Sequence, residues 1–171
     1  HIDGKSTLLD VGCSYGMFGI AFTKKTGGTA YCFDGSLSVL IALTQTIELN
    51  KLYNIRYNRM LIGDENKLMG VTYDTHQSLI NQQSSMQDIM LTIDTFCAIN
   101  EVKPDCIKVD VEGFDYRVLL GAKESMKMYR PTLFMEVHPK FLGYYGNNIY
   151  DIINIADELD YNIVDCNGDT I

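Results

Sequence analysis

A short apolar run that leads into a glycine-rich turn, close to the start of the chain, constrains the fold more than any other feature. Residues 8–16 read LLDVGCSYG and are followed by a helix-compatible stretch from Met17 to about residue 25. The pattern predicts a strand at 7–11, a tight turn and a helix. A strand–turn–helix unit of this kind opens the nucleotide-binding sheets of α/β proteins.

The residues of the turn indicate which ligand it suits. A dinucleotide fingerprint requires glycine where this chain has Ser14, and Asp10 at the strand end would repel phosphates. A carboxylate there suits a cation. S-adenosylmethionine carries a sulfonium and an ammonium group and no phosphate, so the turn favours it over NAD. The expected cofactor-binding residues in this unit are Asp10, Gly12, Cys13, Ser14 and Gly16.

Strand and helix patterns alternate along the rest of the chain, which is typical of a parallel sheet with helices on both faces. The main strands are predicted at 7–11, 29–33, 55–62, 106–111, 132–137 and 161–165, and the helices at 17–25, 37–49, 116–127 and 150–159. Shorter strands are predicted at 70–73 and 90–93, an exposed loop at 81–85, and a helical turn from 94 to 100. Ser36 is the expected N-cap of the second helix.

The end of the chain carries a hairpin signal. Asn167-Gly168 predicts a tight turn and an antiparallel return strand. An antiparallel last strand on a parallel sheet is the arrangement of S-adenosylmethionine-dependent methyltransferases. We therefore expect an α/β, Rossmann-like class I fold in a single domain over 1–171.

Net charge and cysteine content indicate which partners and which cellular compartment to expect. A net charge of −8 disfavours broad electrostatic binding of nucleic acid or of an anionic membrane, so a small-molecule or glycan partner is expected. The five cysteines include no CxxC pair, which predicts a reducing, cytoplasmic setting without disulfides or zinc. No apolar run has the length of a membrane span. The chain begins with His1 rather than Met, so we expect it to be part of a longer protein.

Two further carboxylates follow predicted strands at the edge where α/β proteins bind ligands. Asp34 can accept hydrogen bonds from the ribose hydroxyls of an adenosine, although a solvated turn aspartate is the alternative interpretation. Asp64 can meet the adenine amino group, and a plain turn over 63–66 is equally compatible with the sequence.

Lys108, Asp110 and Glu112 alternate along one face of a predicted buried strand. Charges in such a place cost free energy unless they pair or meet a ligand. One alternative is an ion pair that only locks the strand. The functional interpretation places both carboxylates at the mouth of the cofactor pocket, where one serves as general base and Lys108 orients it. Asp110 then also contacts the cofactor.

Glu136 and His138 repeat this pattern on the next strand. Histidine is the natural base near neutral pH, although a lone histidine is more often structural. Together with Asp110 and Glu112, these residues could also hold a divalent cation, and their oxygen-rich composition suits Mg or Mn better than zinc. Nothing in the spacing demands a metal, so none is expected. The expected catalytic residues are Lys108, Asp110, Glu112, Glu136 and His138.

These motifs resemble those of the FkbM-type S-adenosylmethionine-dependent methyltransferases. The matches run in family order over about residues 7–165, and the most specific is IKVDVEG at 107–113. The others are DVGCSYG at 10–16, Phe33-Asp34, Asn50, Ile93-Asp94, Gly121-Ala122, Pro131 and Glu136-Val137-His138. The resemblance implies S-adenosylmethionine as cofactor and O-methylation, often of a sugar or natural-product hydroxyl.

The chain departs from the family pattern at three places. The family usually has Ala-Asn at 13–14, Glu-Pro at 34–35 and Gly at 160, where this chain has Cys-Ser, Asp-Gly and Asp. Two rival functions therefore remain. A nicotinamide-dependent oxidoreductase is disfavoured by Asp10, Ser14 and the lack of a Tyr-x-x-x-Lys pair. A non-catalytic, cofactor-binding accessory domain is compatible with the changes at Ser14 and Asp34.

Overall fold

The computed structural model describes residues 2–73, 78–80 and 87–170, which form two sheets and the helices that cover them. The strands are β1 Thr7–Val11, β2 Thr29–Asp34, β3 Ile55–Arg59, β4 Leu61–Ile62, β5 Lys67–Tyr73, β6 Ser78–Ile80, β7 Gln87–Leu91, β8 Cys106–Val109 and β9 Thr132–Met135. The helices are α1 Met17–Thr26, α2 Leu37–Asn50, α3 Ile93–Asn100, α4 Asp115–Leu120, α5 Lys123–Tyr129, α6 Pro139–Leu142 and α7 Ile149–Glu158, with a 3₁₀ turn at Gly143–Tyr145.

Five parallel strands form the central sheet, in the order β3-β2-β1-β8-β9. Side chains alternate between the two faces of β1, so Leu8 and Leu9 enter separate apolar clusters on opposite sides of the sheet. Burial on both faces explains the near-continuous apolar character of the inner strands. The predicted α/β fold with a mainly parallel sheet is confirmed.

A second, four-stranded sheet has the order β4-β7-β5-β6. The strand predicted at 55–62 is divided between the two sheets, because a turn in which the Met60 amide donates to the Asn58 carbonyl separates β3 from β4. The predicted short strands correspond to β5 and β7. The loop predicted at 81–85 lies outside the described residues.

The helix predicted at 116–127 is two helices, α4 and α5. A Cβ at Gly121 would lie 2.0 Å from the Gly63 carbonyl oxygen, so this position sits tightly against the smaller sheet. Asp94 then accepts the backbone amides of Glu124 and Ser125, at 3.1 and 2.7 Å, and so caps the start of α5. Ser36 occupies the N-cap position of α2 as predicted, but its hydroxyl pairs with Ser38 and not with the helix backbone.

The prediction of a sixth parallel strand at 161–165 is wrong for the described residues. A single antiparallel bridge, Val164 to Thr170, closes the predicted Asn167-Gly168 turn, and neither arm joins the central sheet. Tyr161 donates its hydroxyl to the Pro131 carbonyl at 3.1 Å and stacks under the Arg130 guanidinium. These contacts hold the chain against the connection between α5 and β9, so that residues 161–165 do not pair with a strand of the central sheet.

Two further features concern the helices and the cysteines. In the part of the chain described by the structure, no helix is both long and apolar enough to cross a bilayer. The five cysteines are free thiols, four of them buried and Cys166 exposed.

Candidate functional site

The turn between β1 and α1 is built around two glycines. Gly12 has φ +70°, and a Cβ added there would lie 1.9 Å from the Asp110 carbonyl oxygen. Gly16 has φ +75°, and its Cβ would lie 2.4 Å from Leu43. Between them, Ser14 adopts φ +46° without being glycine. The turn therefore packs directly on the end of β8, at a distance that a side chain would prevent.

Lys108 links the ends of β1 and β8. Its ammonium nitrogen lies 3.6 Å from Asp10 Oδ1 and 3.3 Å from Asp110 Oδ2, and it donates a 2.7 Å hydrogen bond to the Gly12 carbonyl. The ion pair that the sequence offered as an alternative interpretation is therefore present. Through the Gly12 carbonyl, Lys108 also holds the turn in place. Asp10 and Asp110 differ in exposure, since Asp10 is fully buried and Asp110 is 29% exposed.

Asp10 is buried beneath the turn. Its side chain has no exposed surface, and its Oδ2 accepts the Gly19 amide at 3.0 Å. Burial raises the pKa of Asp10, and the nearby Lys108 charge lowers it in part. Asp10 therefore anchors the turn and α1, with Lys108 as its countercharge.

Asp34 connects the turn to the start of α2. Its two carboxylate oxygens accept the backbone amides of Ser14 at 3.1 Å and Ser36 at 2.9 Å. Burial raises the pKa of Asp34, and these two amides lower it in part. A carboxylate oxygen can accept more than one hydrogen bond, so Asp34 keeps acceptor capacity for hydroxyl groups of a ligand.

Cys13 lies within the turn, whereas Asp64 lies at the end of a strand of the smaller sheet. Cys13 is 5% exposed, and its contact with Cys32 together with burial raises the pKa of its thiol. Asp64 follows β4 of the smaller sheet and forms a 2.8 Å ion pair with Arg117 of α4. That pair lines a cavity of about 290 Å³, with an aromatic wall formed by Phe114, Tyr144 and Tyr145.

A second group of polar side chains lies where the segment after β8 faces the segment after β9. His138 Nε2 is 3.8 Å from Glu112 Oε2 and 3.7 Å from Glu136 Oε1. Glu112 has φ +51°, a left-handed backbone that is uncommon for a non-glycine residue and often found at functional sites. The structure thus brings Glu112, Glu136 and His138 together. The predicted strand positions are wrong, because β8 ends at Val109 and β9 at Met135 and all three residues lie beyond these ends.

Two residues of this region, Asp115 and Arg117, were not predicted from the sequence as site residues. Asp115 is fully buried in the first turn of α4, and burial raises the pKa of its carboxyl group. Arg117, on the same helix, holds Asp64. The sequence contained one signal for both residues: they follow the Glu112-Gly113 pair closely, at the start of α4.

The comparison with protein families agrees with this geometry. The sequence profile of the Methyltransferase FkbM domain matches residues 38–163, which is most of the chain. A search of curated proteins found no match.

Solved structures show the same fold. The FkbM methyltransferase from Methylobacillus flagellatus KT has a TM-score of 0.67 and 18% identity over 92% of this chain and 38% of that one. The precorrin-6y C5,15-methyltransferase from Geobacter metallireducens GS-15 has a TM-score of 0.58 and 8% identity over 96% of this chain and 67% of that one. This chain thus spans little more than a third of the length of the first protein. On the strength of the profile match, the chain belongs to the FkbM methyltransferase domain family.

Proposed function

We propose that this domain is an S-adenosylmethionine-dependent methyltransferase that methylates a hydroxyl group of a sugar or another small-molecule acceptor. The observation that carries this proposal is the excess of carboxylates at the carboxyl edge of a sheet with the FkbM domain fold. Asp10 and Asp110 pair there with the ammonium group of Lys108, Asp34 lies near the same charge, and Glu112 lies beside His138 in the segment after β8.

The residues present fit the cofactor. The edge keeps a negative excess after Lys108 is paired, and this favours a ligand with two positive groups over one with a pyrophosphate. Asp110 and Glu112 are partly exposed and can face such a ligand, whereas buried Asp10 acts through the turn. Asp34 retains acceptor capacity for ribose hydroxyls. Bound S-adenosylmethionine supplies an electrophilic methyl group to the site.

The side chains after β8 and β9 form the acceptor end. Glu112 and His138 are about one-third exposed and Glu136 is mostly exposed, so a hydroxyl can approach them from solvent. In O-methylation the hydroxyl oxygen gains the methyl group and gives up its proton, and S-adenosylhomocysteine leaves. We assign the orientation of the hydroxyl to Glu112 and His138 and the uptake of the proton to Glu136. Positioning of the two reactants is expected to supply much of the rate.

Asp34→Ala is expected to weaken the binding of S-adenosylhomocysteine by about tenfold to a hundredfold, because one or two charge-assisted hydrogen bonds are lost. Isothermal titration calorimetry measures this change. Asp34→Glu is expected to retain binding, since glutamate also presents a carboxylate. Asp157→Ala, at an exposed position of α7, is the matched control. Equal affinities for Asp34→Ala and Asp157→Ala would remove Asp34 from the cofactor site.

Glu136→Gln and His138→Ala are each expected to lower the rate of methyl transfer by about a hundredfold, because the first removes the proton acceptor and the second removes a group that orients the hydroxyl. The affinity for S-adenosylhomocysteine should stay within about twofold of wild type, because neither side chain belongs to the cofactor end. The assay follows transfer of a labelled methyl group to a panel of sugars and phenols, with amine analogues for comparison. Label on nitrogen, or an undiminished rate in both variants, would contradict the proposed acceptor chemistry.

A further inference from the structure

Three potential ligand atoms converge at the acceptor end. One oxygen of Asp110, one oxygen of Glu112 and one ring nitrogen of His138 all lie within 4.8 Å of one another. The 3.8 Å separation of His138 Nε2 from Glu112 exceeds the usual hydrogen-bond length of about 2.7–3.2 Å. Two ligands held about 2.1 Å from one cation lie about 3.0–3.7 Å apart. His138 Nε2 and Glu112 are therefore not hydrogen-bonded to each other, and both atoms can bind a shared ligand.

The imidazole of His138 is held in a fixed orientation. Its ring stacks on Phe141, with centroids 5.7 Å apart and an interplanar angle of 15°. A Cβ at Gly113 would lie 2.4 Å from the Phe141 backbone, so the two segments that carry the ligands are packed closely together. His138 Nδ1 is buried, which leaves Nε2 on the side of the carboxylates.

A second observation comes from Asp115, which lies beneath the same segment. Its Oδ1 is 3.4 Å from the amide of Val111, the residue between the two carboxylate ligands. Its Oδ2 is buried and has no hydrogen-bond partner among the described residues. A buried carboxylate without a countercharge is costly, and Asp115 contacts the segment that carries both carboxylate ligands. A metal-bound imidazole is commonly supported by a carboxylate of this kind.

We propose that Asp110, Glu112 and His138 bind one divalent cation of the Mn²⁺ or Mg²⁺ class, supported by the buried Asp115. Two carboxylates and one imidazole favour a hard or borderline cation, and the described part of the site contains no thiolate that would select a softer one. Glu136 lies outside this ligand set and stays available for the proton. The binding of the cation does not depend on the proposed function, but its catalytic role does. In that role the cation would hold the acceptor hydroxyl and make that group more acidic.

The test is a titration of the chain with Mn²⁺, followed by the electron paramagnetic resonance signal of the free ion. We expect saturable binding of one ion per chain, with nitrogen modulation from an imidazole in the pulsed spectrum. His138→Ala and Asp110→Asn should each weaken binding at least tenfold, and His138→Ala should abolish the modulation. Asp115→Asn should weaken binding about tenfold and keep the modulation, as expected of a supporting group.

Glu124→Gln provides the matched control, because Glu124 is an exposed acid of α5 whose side chain pairs with Lys127 alone among the residues that the structure describes. Equal Mn²⁺ affinity in His138→Ala, Asp110→Asn and Glu124→Gln would overturn the proposal, and so would the absence of saturable binding. Circular dichroism of each variant is the control for correct folding. The titration uses no cofactor, so its result is independent of S-adenosylhomocysteine binding, which tests the proposed function separately.

Discussion

Lys108→Met is expected to lower the free energy of unfolding by about 3 kcal/mol or more, because it leaves a fully buried carboxylate without its countercharge. For a domain of this size that corresponds to a fall in melting temperature of roughly 6–12 °C. The substitution also removes the hydrogen bond to the Gly12 carbonyl, which holds the turn against β8. Chemical denaturation with urea, followed by circular dichroism, measures the change.

The control is the double variant Asp10→Asn/Lys108→Met, in which the buried charge and its partner are both removed. The amide oxygen of an asparagine at position 10 can still accept the Gly19 amide, so this variant should recover most of the lost stability. If Lys108→Met is as stable as wild type, or if the second substitution restores nothing, the account of this ion pair is wrong.

The same variant should show a pH dependence with a defined sign. Burial raises the pKa of Asp10 in the folded state, and Lys108 lowers it, so removing Lys108 raises it further. A folded state whose group has the higher pKa binds more protons than the unfolded state, and its stability therefore increases as the pH falls towards the unfolded value of 3.8. The destabilisation by Lys108→Met should accordingly be smaller at about pH 5 than at about pH 8.

Gly12→Ala is expected to have the second large effect, on both folding and cofactor binding. The new Cβ would lie 1.9 Å from the Asp110 carbonyl oxygen, in a backbone with φ +70°. Because the Asp110 amide donates to the Val11 carbonyl at 3.1 Å, that backbone cannot retreat without breaking the pairing of β1 and β8. Backbone strain of about 1 kcal/mol adds to an overlap penalty of roughly 1–3 kcal/mol.

Displacement of this turn should reduce S-adenosylhomocysteine affinity by at least about a hundredfold, since the turn and Asp34 are joined through the Ser14 amide. Gly143→Ala is the control, because a Cβ there meets nothing within 4 Å and the backbone is right-handed helical. Wild-type affinity in Gly12→Ala, measured at a temperature where the variant is folded, would contradict the role of this close approach.

The sequence was informative about the fold wherever local pattern and tertiary context agree. The apolar run at 7–11 and the turn glycines predicted β1 and its connection correctly, because a tight βα turn needs a backbone that Gly12 and Gly16 provide. The division of 55–62 between two sheets was not predictable in this way, since the segment contains no glycine or proline that would mark a break. The break at Gly121 likewise depends on Gly63, which is distant in sequence.

The candidate site was predicted in part. Sequence position correctly placed Lys108 next to Asp110 and His138 next to Glu112 and Glu136, but of these residues only Lys108 lies on a strand. It did not reveal that Lys108 is the countercharge of Asp10, because that contact joins residues that are far apart in sequence but neighbouring in the sheet register. Nor did it place Asp64 beside Arg117, since this pair depends on the smaller sheet.

The most direct test of the central claim is a pair of calorimetric titrations of the wild-type chain, one with S-adenosylmethionine and one with NAD. The account predicts saturable binding of S-adenosylmethionine at one site per chain and no measurable binding of NAD under the same conditions. Binding of NAD with no binding of S-adenosylmethionine would contradict it, because a pyrophosphate would then be accepted at the carboxylate-rich edge formed by Asp34, Asp110 and Glu112.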